Sequence, residues 1–200
     1  MARRVYLIRH GEVISGERCY GQTDVALSER GRQQMLLLRQ WLQPAFPGAV
    51  YGSDLLRSRE SVELLLRGSA LEARFLPELR EIHLGAYEGK SYQELVGLLS
   101  QEMQARGQIW RDFRFPGGEG LSQLRARVIP AYRRLVAHAG GQDLAIVGHS
   151  GPNRIILCQV LGLPLRNLWR LGQDYGSVSI IEYDGRLPQV VLLNWRPGGG

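Results

Sequence analysis

Lysine is almost missing from this chain: Lys90 is the single one among 25 basic residues. The formal net charge of +6 is therefore carried by arginine. A guanidinium fork matches phosphate or carboxylate bidentately, so an anionic ligand is expected. The arginines are scattered, not gathered into a basic stripe with interleaved aromatics. No helix-turn-helix, zinc-finger or RNP-like pattern accompanies them, which argues against nucleic acid as a partner.

Cysteine is nearly as scarce. Cys19 and Cys158 are too few for a disulfide framework and neither sits in a CxxC or other metal-ligand spacing, so inert or buried thiols are expected. There is no P-loop GxxxxGK[ST] and no HExxH, and no metal or other cofactor is expected. No apolar run is long enough to span a membrane as a helix. Met1 is followed by Ala2, Arg3, Arg4 and a short strand-like run, without the apolar region and cleavage site of an export signal, so a cytoplasmic protein with no membrane partner is expected. No internal repeat or linker divides the chain. One domain is expected over residues 1–196, with 82–120 partly a helical and loop lobe over the site and 197–200 a disordered tail. At 44% hydrophobic residues, a chain of this length can bury about 70% of its unfolded surface and needs no disulfide staples.

What is present alternates. Residues 5–8, 49–51, 71–75 and 144–147 are short apolar or β-branched runs, most of them followed by polar turns and helical patterns. That order predicts a sheet with helices on both faces. Ser28 can cap a helix whose Met35, Leu38, Trp41 and Leu42 recur at helical spacing, with Pro44 ending it. Ser53 or Asp54 can open a second, reaching about residue 66. Ser91 followed by Glu94 fits a capping box, and Leu95, Leu98, Leu99 and Met103 then mark an apolar face. Residues 107–120, "GQIWRDFRFPGGEG", read as an irregular connection of the kind that borders sites. Helices are expected over 121–137, bent at Pro130, and over 151–162, and residues 178–183 and 189–194 read as a closing pair of strands around "DGRLP".

Two of the four histidines stand in matching places: His10 after "VYLIR" and His149 after "LAIVG". Ligands bind at the carboxyl ends of strands in an α/β sheet, so two strand-end imidazoles would share one crevice. His138, near a helix end, reads as a structural residue, and His83 has no strand end to support it. Gly11 and Gly151 follow the paired histidines, where glycine lets backbone amides approach an anion. Arg9 precedes His10, and Arg57, early in the second helix, could reach the same crevice. Its plainer reading is a surface ion pair with Glu60 or Glu63, worth about 0 to 1 kcal/mol. A proton donor is still needed, and "LPELREIHLGAYEG" offers Glu78, Glu81 and Glu88 without the spacing choosing among them.

Taken in order, "RHGE", "GQTDVALSERG", "SDLLRSRES", "ELREIHLGAYEG", "PGGEG" and "VGHSG" resemble the signatures of the histidine phosphatase superfamily, also called phosphoglycerate-mutase-like, over nearly the whole chain. The resemblance implies a three-layer α/β/α fold around a mixed, largely parallel sheet, and catalysis through a phosphohistidine without a metal. It implies His10 as nucleophile, Arg9, Arg57 and His149 as holders of the phosphoryl oxygens, and Glu81 as proton donor. It also implies Gly11, Gly21, Gln22 and Ser150 on the substrate side. Two segments depart from the family pattern. Where many relatives have asparagine after the nucleophile, "VISGER" has Ser15 and Gly16, and Gly120 replaces the serine of PGGES, which removes a side-chain cap.

"HLGAYEGKSYQEL" resembles the phosphatase pattern more than the "GLNK"-like stretch of the mutases, which implies hydrolysis of a small phosphorylated metabolite. "RCYGQTDVALS" is similar to α-ribazole phosphatases, with broad-specificity phosphatases and phosphoglycerate mutases as alternatives. A binding module without catalysis is the alternative of another class. Trp110, Phe113 and Phe115 could stack on a base, or simply pack against the helix that Ser91 opens. Oligomeric state is left open, a dimer being one option.

Overall fold

The computed structural model describes residues 3–15, 17–43, 46–106, 113–185 and 187–198. β1 (Arg3–Arg9), β2 (Ala49–Gly52), β3 (Ala73–Phe75), β4 (Leu144–Gly148), β5 (Val178–Tyr183) and β6 (Gln189–Trp195) form a six-stranded sheet in the order β3-β2-β4-β1-β5-β6. β1 to β4 run parallel to one another, and β5 and β6 are added antiparallel on the β1 side. This is the expected mixed, largely parallel α/β sheet.

Successive side chains of a strand point to opposite faces, and β1 shows what that does here. Val5 and Leu7 join Leu144 and Ile146 beneath α4 (Leu121–His138) and α5 (Ser150–Val160). Tyr6 and Ile8 join Ala145 and Val147 beneath α1 (Glu29–Leu42) and α2 (Leu56–Leu66). Both faces are apolar because both are covered, each buried Leu or Ile contributing about 1.5–3 kcal/mol. α3 (Tyr92–Arg106) belongs to neither layer. Its Leu95 and Leu99 pack with Leu84, Tyr87, Phe113 and Phe115 in a separate small cluster.

Several local expectations hold in detail. The Ser28 hydroxyl accepts from Gly31 N at 3.0 Å, and the Ser91–Glu94 capping box is closed from both sides, at 2.8 and 3.2 Å. Trp41 sits at the margin of its helix's apolar stripe, 40% exposed and stacked on Trp195. α2 is started otherwise than expected. The Ser53 hydroxyl accepts from Leu55 N and Asp54 forks onto Arg80, so neither caps the helix; Asp24, from a distant loop, accepts from Leu56 N at 2.8 Å. β3 is shorter than the apolar run suggested, with Leu71 exposed outside it. α4 continues through Pro130; Gly120 offers its first turn no side-chain acceptor, and Gln123 supplies only the reciprocal bond, accepting from Gly120 N at 2.8 Å. Gly16, Pro44, Trp110, the side chain of Met103 and residues 199–200 lie outside the described residues. No helix among the described residues is long and apolar enough to cross a membrane.

Candidate active site

β1 and β4 are parallel neighbours with Arg9 opposite Gly148, so the residues that follow them emerge side by side. His10 N donates to Gly148 O at 3.0 Å, and the His10 and His149 rings meet edge to face with centroids 5.0 Å apart. The pairing expected from two strand ends is therefore built by strand register.

The protonation state of His10 follows from its contacts. Gly11 O can only accept, so Nδ1, 2.7 Å away, carries the proton and donates. Nε2 is left with its lone pair, which accepts from Arg57 Nε at 3.2 Å. Burial, then the charges of Arg57 and Arg9, hold the His10 pKa well below the ordinary histidine value, so the ring is neutral. His149 is lowered by the same burial and by Arg57. Both its ring nitrogens are buried without a hydrogen-bond partner among the described residues. Buried polar atoms are rarely left unpaired, so this ring has unused hydrogen-bonding capacity beside His10.

Arg57 is no surface ion pair. It is 1% exposed, and beyond His10 it donates to Thr23 O at 3.0 Å and Gly21 O at 2.6 Å. Glu60, its expected alternative partner, is taken by Arg32. Arg9 lies 3.7 Å from the Tyr175 ring centroid and donates to Gln173 O. Arg57 thus meets His10 Nε2 directly, while Arg9 lines the same cavity and acts on His10 through its charge.

The structure separates the three glutamates that the spacing could not. Glu78 is 40% exposed and pairs with Arg134. Glu88 accepts from the amides of Gly21, Gln22 and Leu84 and from the Thr23 hydroxyl. Burial raises the Glu88 pKa, but those hydrogen bonds outweigh it and leave the carboxyl below its ordinary value, an anchor for the 20–23 loop. Glu81 lines the cavity with His10, Arg9 and Arg57, and its carboxylate accepts from Gly151 N at the start of α5. A Cβ on Gly151 would come within 2.2 Å of Glu81 Oε1, so glycine is what permits that contact. Arg127 fixes the segment from behind. It donates to the carbonyls of Glu78, Arg80 and Glu81 while forking onto Glu119.

Of the residues expected on the substrate side, Ser150 lines the cavity. Gly11, Gly21 and Gln22 do not. The Gly11 amide donates to Ser61 Oγ and a Cβ there would meet Gly31 O at 2.3 Å, so Gly11 serves the packing of α1 and, through its carbonyl, the tautomer of His10. The amides of Gly21 and Gln22 are spent on Glu88. His138 hydrogen-bonds to Arg134 O in its own helix, and the amide of His83 donates to Glu119.

Sequence reasoning missed Tyr175 and Arg154. Tyr175 covers Arg9 and stands 5.5 Å from the His10 ring, centroid to centroid; nothing local in "GQDYGSV" announces it. Arg154 was legible, since it follows Ser150 by four residues and so shares its helical face. Away from this polar end, the cavity of about 700 Å³ is walled by Ile82, Leu84, Leu95, Leu99, Phe113 and Phe115. Among the described residues no group of three or more His, Cys, Asp or Glu side chains is gathered as metal ligands would be.

Known proteins match this chain from end to end. The chain is 29% identical over 201 residues to the adenosylcobalamin/alpha-ribazole phosphatase of Salmonella typhimurium, covering 97% of this chain and 99% of that one. It is 28% identical to phosphoserine phosphatase 1 of Hydrogenobacter thermophilus, covering 96% and 92%. The crystal structure of a putative alpha-ribazole-5'-P phosphatase from Escherichia coli superposes with a TM-score of 0.88 at 26% identity, covering 100% of both chains. The family model described as histidine phosphatase superfamily (branch 1) matches residues 5–196, and the chain belongs to that superfamily.

Proposed function

We propose that the chain is a metal-independent phosphatase that hydrolyses α-ribazole 5'-phosphate through a phosphohistidine on His10. The observation that carries the reaction is the state of His10: neutral, with its proton tied to Gly11 O and its Nε2 lone pair held only by a hydrogen bond from Arg57 Nε, which an incoming phosphoryl oxygen would draw away. Nε2 attacks phosphorus and the ester P–O bond breaks in line. Arg9, Arg57 and His149 stabilise the charge on the equatorial oxygens, which is the larger part of catalysis in phosphoryl transfer. Glu81 gives its proton to the leaving alkoxide. A water then attacks the phosphohistidine, Glu81 takes its proton, the P–N bond breaks, and inorganic phosphate leaves with His10 restored. General acid and base work of this kind contributes about 10² to 10⁴ in rate.

The substrate reading rests on the other end of the cavity. Leu84, Leu95, Leu99, Phe113 and Phe115 offer an apolar wall with two aromatic rings, which suits the base of α-ribazole better than a small polar alcohol. The similarity to a phosphatase of that name supports it. The test is hydrolysis of α-ribazole 5'-phosphate in excess EDTA against 3-phosphoglycerate, phosphoserine and sugar phosphates, with mutase activity measured alongside. The expected result is α-ribazole 5'-phosphate as the preferred substrate and no turnover by His10→Ala. A preference for another ester would move the substrate assignment, and activity in His10→Ala would end the phosphohistidine mechanism.

A further inference from the structure

β6 is the outermost strand on its side of the sheet, and none of its residues lines the cavity. One of them nevertheless reaches toward it. Between the pairs Val178–Trp195 and Ile180–Leu192, two steps along β5 face three along β6, so β6 carries an extra residue there. A bulge of this kind interrupts the ladder and re-aims a side chain. Asn194 sits in it with φ at 53°, a left-handed conformation that asparagine adopts more readily than most residues.

The re-aimed carboxamide closes on the loop that leads into β5. Asn194 Oδ1 accepts from Asp174 N at 2.6 Å, and Nδ2 donates to Asp174 Oδ2 at 3.2 Å. The Asn194 amide donates to Ser179 Oγ at 3.0 Å, and the same oxygen accepts from Gln173 Nε2 at 3.1 Å. Arg196 Nε adds a contact to Asp174 Oδ2 at 3.5 Å. What this loop holds in turn is Arg9. Arg9 Nη1 donates to Gln173 O, its guanidinium carbon lies 3.7 Å from the Tyr175 ring centroid, and Glu81 and Asp174 act on it by charge. The loop also closes over the end of β1, where Arg9 N donates to Ser177 O and Gly176 N to His10 O, both at 3.0 Å.

We propose that Asn194 is a positioning residue for the reaction: its bulge latches residues 173–175, and through Gln173 O and the Tyr175 ring that loop fixes Arg9 where it meets the phosphoryl oxygens. The inference rests on the phosphatase reading, in which Arg9 holds those oxygens. Stabilisation of charge in the transition state depends on dipoles and cations already in place, so a guanidinium that must be ordered at each turnover costs rate.

The experiment measures kcat and KM on p-nitrophenyl phosphate, and the inhibition constant of inorganic phosphate, in single and double variants. Asn194→Gly keeps the left-handed backbone and removes the carboxamide. It is expected to lower kcat/KM about fivefold and to weaken inhibition by phosphate to a similar degree. In an Arg9→Met background the same substitution is expected to change neither quantity, because the group it positions is gone. Asn194→Asp sets a second carboxylate against Asp174 and should lose as much; combining it with Asp174→Asn exchanges donor and acceptor between the two residues and should recover most of that loss. An Asn194→Gly enzyme as active as wild type, a loss that persists in full in Arg9→Met, or an exchanged pair no better than Asn194→Asp alone overturns the inference. Hydrolysis of p-nitrophenyl phosphate by wild type and its absence in His10→Ala report the phosphatase reading separately.

Discussion

The two ends of the cavity are built on different foundations. At the phosphate end, His10 and His149 leave paired central strands, β4 being buried throughout, and Arg57 spends four contacts on His10 and the 20–23 loop. At the leaving-group end, the wall is α3 and the 113–115 segment, held by a six-residue cluster outside both main cores. The strands of the central sheet position the reaction, while a small independent cluster shapes what may be attached to the phosphate. Substitutions at the first end should damage every substrate, and substitutions at the second should reorder substrates among themselves.

The largest departure from that rule should come from Glu81, which sits between the ends. Under the proposed mechanism Glu81→Gln keeps the hydrogen bond from Gly151 N but has no proton to give. The expected loss is about 10² to 10⁴ in kcat/KM for alkyl phosphates, and much less for p-nitrophenyl phosphate, whose leaving group needs no acid. Steady-state rates on the two ester classes check it, and equal losses would remove Glu81 from the acid role.

Arg57 should obey the rule. Arg57→Met removes a charge and three backbone anchors, and a loss of about 10² to 10³ in kcat is expected on all esters alike. The pH profile sharpens this. The cation disfavours protonated His10, so its removal raises the His10 pKa. Protonated His10 cannot attack, and the acidic limb of kcat/KM should therefore move to higher pH in Arg57→Met, while Arg57→Lys, which keeps a cation, should shift it less. A limb that stays in place in Arg57→Met would mean that burial alone sets the state of His10.

Much of the phosphate end was legible because it is local or periodic. A histidine at a strand end, and an arginine or a glycine in the first turn of a helix, are patterns of adjacent residues. The choice among Glu78, Glu81 and Glu88 was not, because it depends on which carboxylate is already spent: Glu78 on Arg134, Glu88 on the amides of Gly21 and Gln22. The same reason explains two other differences. Asp24 caps α2 across 32 residues, and the Gly11 amide is claimed by Ser61 across 50, so neither could be read from its own neighbourhood. The motif marked Gly11 as important and misplaced the cause, which is close packing against Gly31 and the tautomer of His10.

The smallest expected effect tests the leaving-group end alone. Leu99 is 4% exposed, lines the cavity from α3, and belongs to the small cluster that meets the larger core through Ile82. Under the proposed function Leu99→Ala withdraws apolar surface from the base of the substrate without altering His10, Arg9 or Arg57. Loss of a few methylene contacts in an apolar pocket is worth about 1–3 kcal/mol, so kcat/KM on α-ribazole 5'-phosphate should fall about tenfold, mostly in KM. Glycerol 1-phosphate, too short to reach that wall, should lose less than twofold. If both esters fall together, truncation on α3 is felt at the nucleophile, and the two ends are one mechanical unit. If only the aromatic ester falls, selectivity can be rebuilt on α3 and the 113–115 segment without disturbing the chemistry set by the sheet.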